Sequence, residues 1–496
     1  MESKINRITD ILRRDDGISG AMMYTEQISW ILFLKFLNDL EESKNEDAEL
    51  DGETYQYILD EKYRWNVWAT PKDTNGKIDV INSKSGEDLL DFVNKDLFPY
   101  LKGFKNLSED VKSVKYKIGA IFEFLDNRIA NGHTLREVLD IIDEMDFHNQ
   151  SDLFQLSLIY EKLLKDMGSD GGNSGEFYTP RPLIKVMVDV VNPQIGQTIY
   201  DPAVGSCGFL IESYNHIRYE DIKENKQREL SVEQLRFLNL DTFFGNEKTP
   251  LSYVMGVMNM ILHGVESPNI SKTNTLTKDI RGLEEKDRYD CILANPPFGG
   301  KEKDQIQQNF PIKSNATELL FLQHMMNSLK LNGKCGVVVP EGVLFQTNNA
   351  FQSVKRDLLE RFNIHTILSL PVGVFLPYSP VKTNVIFFDR NGSTSDIFYY
   401  EVNPISKLTK NKPIKYDHFK DFLDVWKDRN ITENSWIVNI NDIKDFNMSA
   451  KNPNRDDSVE HKSPIELVEN IKLNNKEIND LMDEIEEILI GKDINE

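Results

Sequence analysis

Residues 198–210 read Thr198-Ile199-Tyr200-Asp201-Pro202-Ala203-Val204-Gly205-Ser206-Cys207-Gly208-Phe209-Leu210. A short apolar strand ends in an acid, a loop of small residues follows, and a helix begins. Further strand candidates lie at 242–244, 289–294, 336–339, 366–370 and 384–388, with helical patterns at 316–329 and 350–362 between them. Strand and helix alternating in this way predict an α/β domain built on a mostly parallel sheet. Ligands in such sheets bind at the carboxyl ends of the strands.

Outward from this core, residues 1–150 read as a helical N-terminal domain. Ile28, Ile31, Leu32 and Phe36 recur at helical spacing, as do Ile118, Ile121, Phe122 and Leu125. The α/β region spans 151–400, and a glycine-rich stretch at 168–175 near its start is either a plain linker or a flap over a ligand. Residues 401–496 are mixed and end in a helix over 463–490. Ser463-Pro464-Ile465-Glu466 forms its capping box, and Ile471, Ile478 and Ile485 repeat every seven residues beside Leu467, Leu481 and Ile488. That seam reads either as a coiled coil that docks a partner or as an amphipathic helix packed on its own domain.

Of the 496 residues, 40% are hydrophobic, which excludes disorder over most of the length. The 58 Lys and Arg against 80 Asp and Glu leave a net charge of −22. A chain this acidic does not hold nucleic acid through a broad basic face; it needs a local groove or a basic partner. Cys207, Cys291 and Cys335 are scattered, so neither a disulfide framework nor a metal site is expected. The apolar run at 30–34 falls far short of the ~20 residues that span a bilayer. Met1-Glu2-Ser3-Lys4 lacks the basic and apolar regions of a secretory signal. The expectation is a soluble, cytoplasmic protein with no membrane partner.

The strongest chemical signal is Asp290-Cys291-Ile292-Leu293-Ala294-Asn295-Pro296-Pro297-Phe298. An apolar strand runs into two prolines, which remove backbone donors and leave carbonyls without ladder partners. The Asn295 side-chain oxygen and the Pro296 carbonyl can then accept from one planar NH2 group while Phe298 stacks on the ring bearing it. In the loop after Asp201, Gly205 and Gly208 let backbone approach a ligand closely, and the acid favours a cationic one. No G-x-G-x-x-G fingerprint or phosphate loop is present. Glu247, in Gly245-Asn246-Glu247, ends a second strand, where an adenosine ribose finds a bidentate acceptor. Gly175-Glu176-Phe177-Tyr178-Thr179-Pro180 precedes the first strand. Taken singly, each of these three has an ordinary alternative: a strand–helix turn, a solvated carboxylate, a loop exit anchored by two aromatics.

The four motifs in this order resemble those of an S-adenosylmethionine-dependent DNA amino-methyltransferase. More narrowly, the chain resembles the modification subunit of a type I restriction-modification system, an N6-adenine methyltransferase, over essentially its whole length. The resemblance implies a Rossmann-like methyltransferase domain. It implies that Glu176, Phe177, Tyr178, Thr179, Pro180, Arg181, Gly205, Ser206, Cys207 and Gly208 bind the cofactor, with Asp201 facing the methionine amino group and Glu247 the ribose. Asn274, in Asn274-Thr275-Leu276, stands where the family often has Asp near the cofactor's adenine, and Asp279 is a second candidate. Asn295, Pro296, Pro297 and Phe298 would hold an adenine flipped out of DNA. The implied partners are DNA, a specificity subunit joined by two modification subunits, and, in some assemblies, a restriction subunit. Asn-Pro-Pro-aromatic also serves protein glutamine N5-methyltransferases; a cytosine methylated on N4 is a further alternative, over which the Asn-first form of the motif favours adenine; and a catalytically silent assembly protein would keep the fold alone.

Overall fold

The structure is a computed structural model. It describes residues 2–145, 147, 179–454, 472 and 482, apart from 74–76, 80, 109, 222–225, 266 and 377–378. The glycine-rich stretch, Glu176, Phe177, Tyr178 and the heptad seam of the C-terminal helix lie outside the described residues. No described helix is long and apolar enough to cross a membrane.

The N-terminal region is helical as its periodicity predicts. Its centre is the helix Ala21–Leu50, whose residues from Ile28 to Leu37 are buried on every side. A helix apolar all round must be enclosed, and here Trp30 meets Phe98 edge-on at 5.2 Å while Phe33 faces Phe122. The one cation in that stretch, Lys35, is neutralised one turn on by Asp39 at 2.5 Å.

Among the described residues, nine strands form one sheet: β1 Ile199–Asp201, β2 Phe243–Glu247, β3 Asn269–Lys272, β4 Tyr289–Ala294, β5 Leu329–Pro340, β6 Asn363–Ser369, β7 Thr383–Asp389, β8 Asp396–Glu401 and β9 Ser435–Asn439. Their order is β9-β8-β6-β7-β5-β4-β1-β2-β3. Pairing is parallel from β3 through β5 and between β6 and β8, while β7 runs antiparallel to both its neighbours and β9 to β8. Side chains alternate between two cores. Cys291, Leu293, Val338 and Leu368 face the helices Arg181–Val191, Gly208–Arg218 and Pro250–Leu262. Ile292, Ala294, Val337 and Ile367 face Thr317–Ser328 and Asn349–Arg361. Both faces are covered, which is why the strands read as continuous apolar runs. The helix Pro250–Leu262 also packs on Ala21–Leu50 and Val114–Phe122, tying the helical region to the sheet.

The sheet continues past residue 400, where the sequence reading closes the catalytic domain. β9 pairs in register with β8, Tyr399 opposite Trp436, and these two rings stack at 5.4 Å. Trp436 is buried in the core on one face, so this edge strand belongs to the sheet.

Candidate active site

β1 lies between β2 and β4, so the strand order reverses there, and the crevice at the carboxyl ends of β1 and β4 is the place where such sheets bind ligands. The loop leaving β1 turns tightly. Asp201 Oδ1 accepts from the Ala203 N–H at 2.9 Å, and the Cys207 N–H donates to the Val204 carbonyl at 2.7 Å. Gly205 and Cys207 both have positive φ, 50° and 63°. The loop is clamped from below: a Cβ on Gly256 would lie 2.7 Å from the Gly205 carbonyl and 2.9 Å from Cys207 Sγ. Asn259 Nδ2 holds the Ser206 carbonyl at 2.9 Å. Gly208 is bare for packing, since its Cβ would meet Ile184 at 2.8 Å. The Cys207 thiol is fully buried and pushed well above its ordinary pKa, so it packs as a neutral group.

Two carboxylates flank this loop. Glu247, last in β2, accepts from the Gly205 N–H at 3.0 Å and the Thr249 N–H at 2.8 Å. Asp201 is 1% exposed and Glu247 7%. Burial raises both pKa values; that of Asp201 reaches about 8, with the nearby Glu247 charge adding to the effect. Among the described residues neither has an ion-pair partner, so the site holds two buried acids whose ionised forms a cation and hydroxyl donors would stabilise.

Beside them lies a pocket of about 250 Å3 walled by Ala203, Glu247, Asn274, Thr275, Pro297 and Phe321. Asn274 Oδ1 caps the Leu276 N–H at 3.1 Å, and Thr275 Oγ1 donates to the Pro202 carbonyl at 2.5 Å, joining the loops after β3 and β1. Asp279 is outside this wall. Arg281 clamps its carboxylate at 2.7 and 2.9 Å and holds its pKa down to about 2.

Asn295 follows β4 directly. Its Nδ2 donates to Thr179 Oγ1 at 2.9 Å, while its Oδ1 is buried without a partner among the described residues. Pro296 is buried, and Phe298 is half-buried with its ring edge-on to Phe375 at 6.0 Å. Pro180 precedes the helix Arg181–Val191, and Arg181, in its first turn, feels the Glu212 charge. The structure thus brings Thr179, Asn295 and Phe298 to one side of the crevice and Asp201, Gly205, Glu247 and Asn274 to the other, with Pro297 between. Asn259 and Phe375 were missed by sequence reasoning, since each acts through a contact distant in sequence and belongs to no motif quoted for the site; Thr275 was quoted beside Asn274, but its bond to Pro202 was not foreseen.

A sheet with this order, acids at the ends of β1 and β2 and Asn-Pro-Pro-Phe at the end of β4 define a methyltransferase directed at an amino group. Residues 149–462 match the family model described as N-6 DNA Methylase, and residues 1–142 match the HsdM N-terminal domain. The chain is 34% identical to the Escherichia coli type I restriction enzyme EcoEI methylase subunit, over 99% of this chain and 97% of that one. It is 28% identical to the EcoKI methylase subunit of E. coli K12, over 92% and 82%. A crystal structure of a type I modification subunit from Vibrio vulnificus YJ016 superposes with a TM-score of 0.83 at 35% identity, over 93% of this chain and 98% of that one. The chain belongs to the N-6 DNA methylase family, among the methylase subunits of type I restriction-modification systems.

Proposed function

We propose that this chain methylates N6 of an adenine flipped out of DNA, as the catalytic modification subunit of a type I complex, with S-adenosylmethionine as methyl donor. The buried, unpartnered Oδ1 of Asn295 carries this reading. An acceptor placed at the end of β4 without a protein donor is complementary to an exocyclic amine.

The residues present fit the cofactor. Asp201 would face its ammonium, which favours the ionised carboxylate that burial disfavours. Glu247 spends one lone pair of each oxygen on a backbone N–H and keeps others for ribose hydroxyls. Asn274 commits Oδ1 to Leu276, so its Nδ2 is left to donate to a ring nitrogen of the adenine. Gly205, Ser206 and Gly208 shape the loop between them; Thr179 to Arg181 close the target side. When bound, the cofactor supplies an electrophilic methyl group.

The rest is the work of the chain. Asn295 Oδ1 and the Pro296 carbonyl accept both N–H groups of the target amine, fix its lone pair in direction, and stabilise the positive charge that grows on nitrogen as the new bond forms. Phe298 stacks on the base, and the Phe375 ring holds Phe298 in plane. With a net charge of −22, reading of the DNA site falls to the specificity subunit, two modification subunits to one, in an assembly that also admits a restriction subunit, and the compartment proposed for it is the cytoplasm. The helix at 463–490 is the docking element proposed for that partner.

Nucleoside mass spectrometry of host DNA tests the function. Loss of N6-methyladenine in an Asn295→Ala strain is expected. Its persistence overturns the reading, and a methylated glutamine in its place favours the protein-directed alternative.

A further inference from the structure

A second cleft, of about 560 Å3, runs along the β2–β3 edge where the helical region meets the sheet. Tyr116, Phe124 and Tyr253 line it together with Lys117. Lys117 is 9% exposed, and among the described residues its ammonium has no hydrogen-bond or ion-pair partner. The neighbouring cations are already engaged: Lys105 with Glu123 at 2.6 Å, Lys112 with Asp241, and Lys272 over the Phe124 ring at 4.9 Å. Burial holds the Lys117 pKa below the ordinary lysine value, and Asp110 opposes this only through its field.

A desolvated ammonium without a counter-ion is costly. In a chain with 80 acidic residues a partner for Lys117 would be easy to supply from within, yet among the described residues none is placed against it. The volume is that of a small-molecule site; of the lysines that line it, Lys105 is paired with Glu123 and Lys272 lies over Phe124, which leaves Lys117, and Tyr116, Phe124 and Tyr253 add rings on which a flat base stacks. We propose that this cleft binds a nucleoside monophosphate, its phosphate on Lys117 and its base against the Tyr116, Phe124 and Tyr253 rings. The site is separate from Asp201 and Asn295; only Asn246 is shared with the pocket at Glu247.

Calorimetry of the full chain tests it. GMP is the probe, because an adenine nucleotide would also fit the pocket beside Glu247. GMP should bind, with guanosine and inorganic phosphate each weaker by about tenfold or more, and Lys117→Gln should weaken GMP by about tenfold, the scale of one charge-assisted contact. Tyr116→Ala tests the ring wall independently: it should weaken GMP and leave phosphate unchanged. No binding of GMP, phosphate binding as tightly as GMP, or GMP affinity unchanged in either variant overturns the proposal.

Discussion

Among the described residues the side-chain amide of Asn295 is anchored by one end: Nδ2 rests on Thr179 Oγ1 at 2.9 Å, and Oδ1 is buried with no partner there. The residue at the end of β4 is therefore oriented by a residue that precedes β1.

Removing the acceptor should remove the chemistry. We expect Asn295→Ala to lower the single-turnover methylation rate by roughly a hundredfold or more, the scale of one lost stabilising contact at a growing charge. Asn295→Asp, which keeps an oxygen in place, should retain more activity than Asn295→Ala; equal losses would show that the oxygen is not what matters.

Thr179→Val should leave the fold intact and free the amide to turn. We expect a fall in kcat of about tenfold with little change in KM for cofactor, and recovery in Thr179→Ser, which restores the hydroxyl. A KM effect on cofactor alone would place Thr179 on the other side of the crevice.

Asp201 couples pH to both stability and binding. Folded, it keeps its proton to about pH 8, whereas unfolded it releases it near pH 4, at roughly the model-peptide value. The folded state binds more protons across that window, so its stability falls as pH rises through it. Asp201→Asn should flatten this slope and be the more stable protein at the alkaline end, by a few kcal/mol at most. In the wild type, affinity for S-adenosylmethionine should rise toward pH 8, because the ammonium prefers the ionised acid. Asp201→Asn should lose that dependence in calorimetry.

The close approach at Gly256 should not tolerate a methyl group. Gly256→Ala sets a Cβ against the Gly205 carbonyl and Cys207 Sγ, two atoms of a loop that cannot yield without moving. We expect about 1–3 kcal/mol of destabilisation in thermal melts, with weakened cofactor binding. A variant with wild-type melting and affinity would show that the loop is pliant.

Deleting residues 463–496 should release the specificity subunit in gel filtration. A complex that survives the deletion refutes the docking role of this segment.

The parts of the fold readable from sequence are those whose pattern is local. β4 matched its expected bounds because both its faces are covered and its residues are uniformly apolar toward its end. β3, Asn269–Lys272, carries one buried apolar residue, Ile270, at the sheet's edge, and gives no pattern to read. β9 was hidden for a different reason: its signal is Trp436 meeting Tyr399, a partnership across a loop. In the site, Asp201, Glu247 and Asn295 were legible because each ends a strand. The contact of Thr179 with Asn295 spans 116 residues, and nothing short of the assembled sheet brings them together. That Arg281 holds Asp279 while Asn274 lines the pocket beside Glu247 is likewise something spacing does not encode.

The antiparallel β7 has a consequence for the order in which the molecule is made. β1 to β5 can pair side by side as soon as residue 340 has been synthesised, completing the acidic half of the crevice. β6 is made next but cannot reach β5, because the place between them belongs to β7, which emerges later. Phe375, whose ring meets Phe298 edge-on, lies in the connection between β6 and β7. A chain still on the ribosome thus has Thr179, Asn295 and Phe298 in hand before Phe375, and the edge-on contact of Phe375 with Phe298 forms only once the later strands join the sheet.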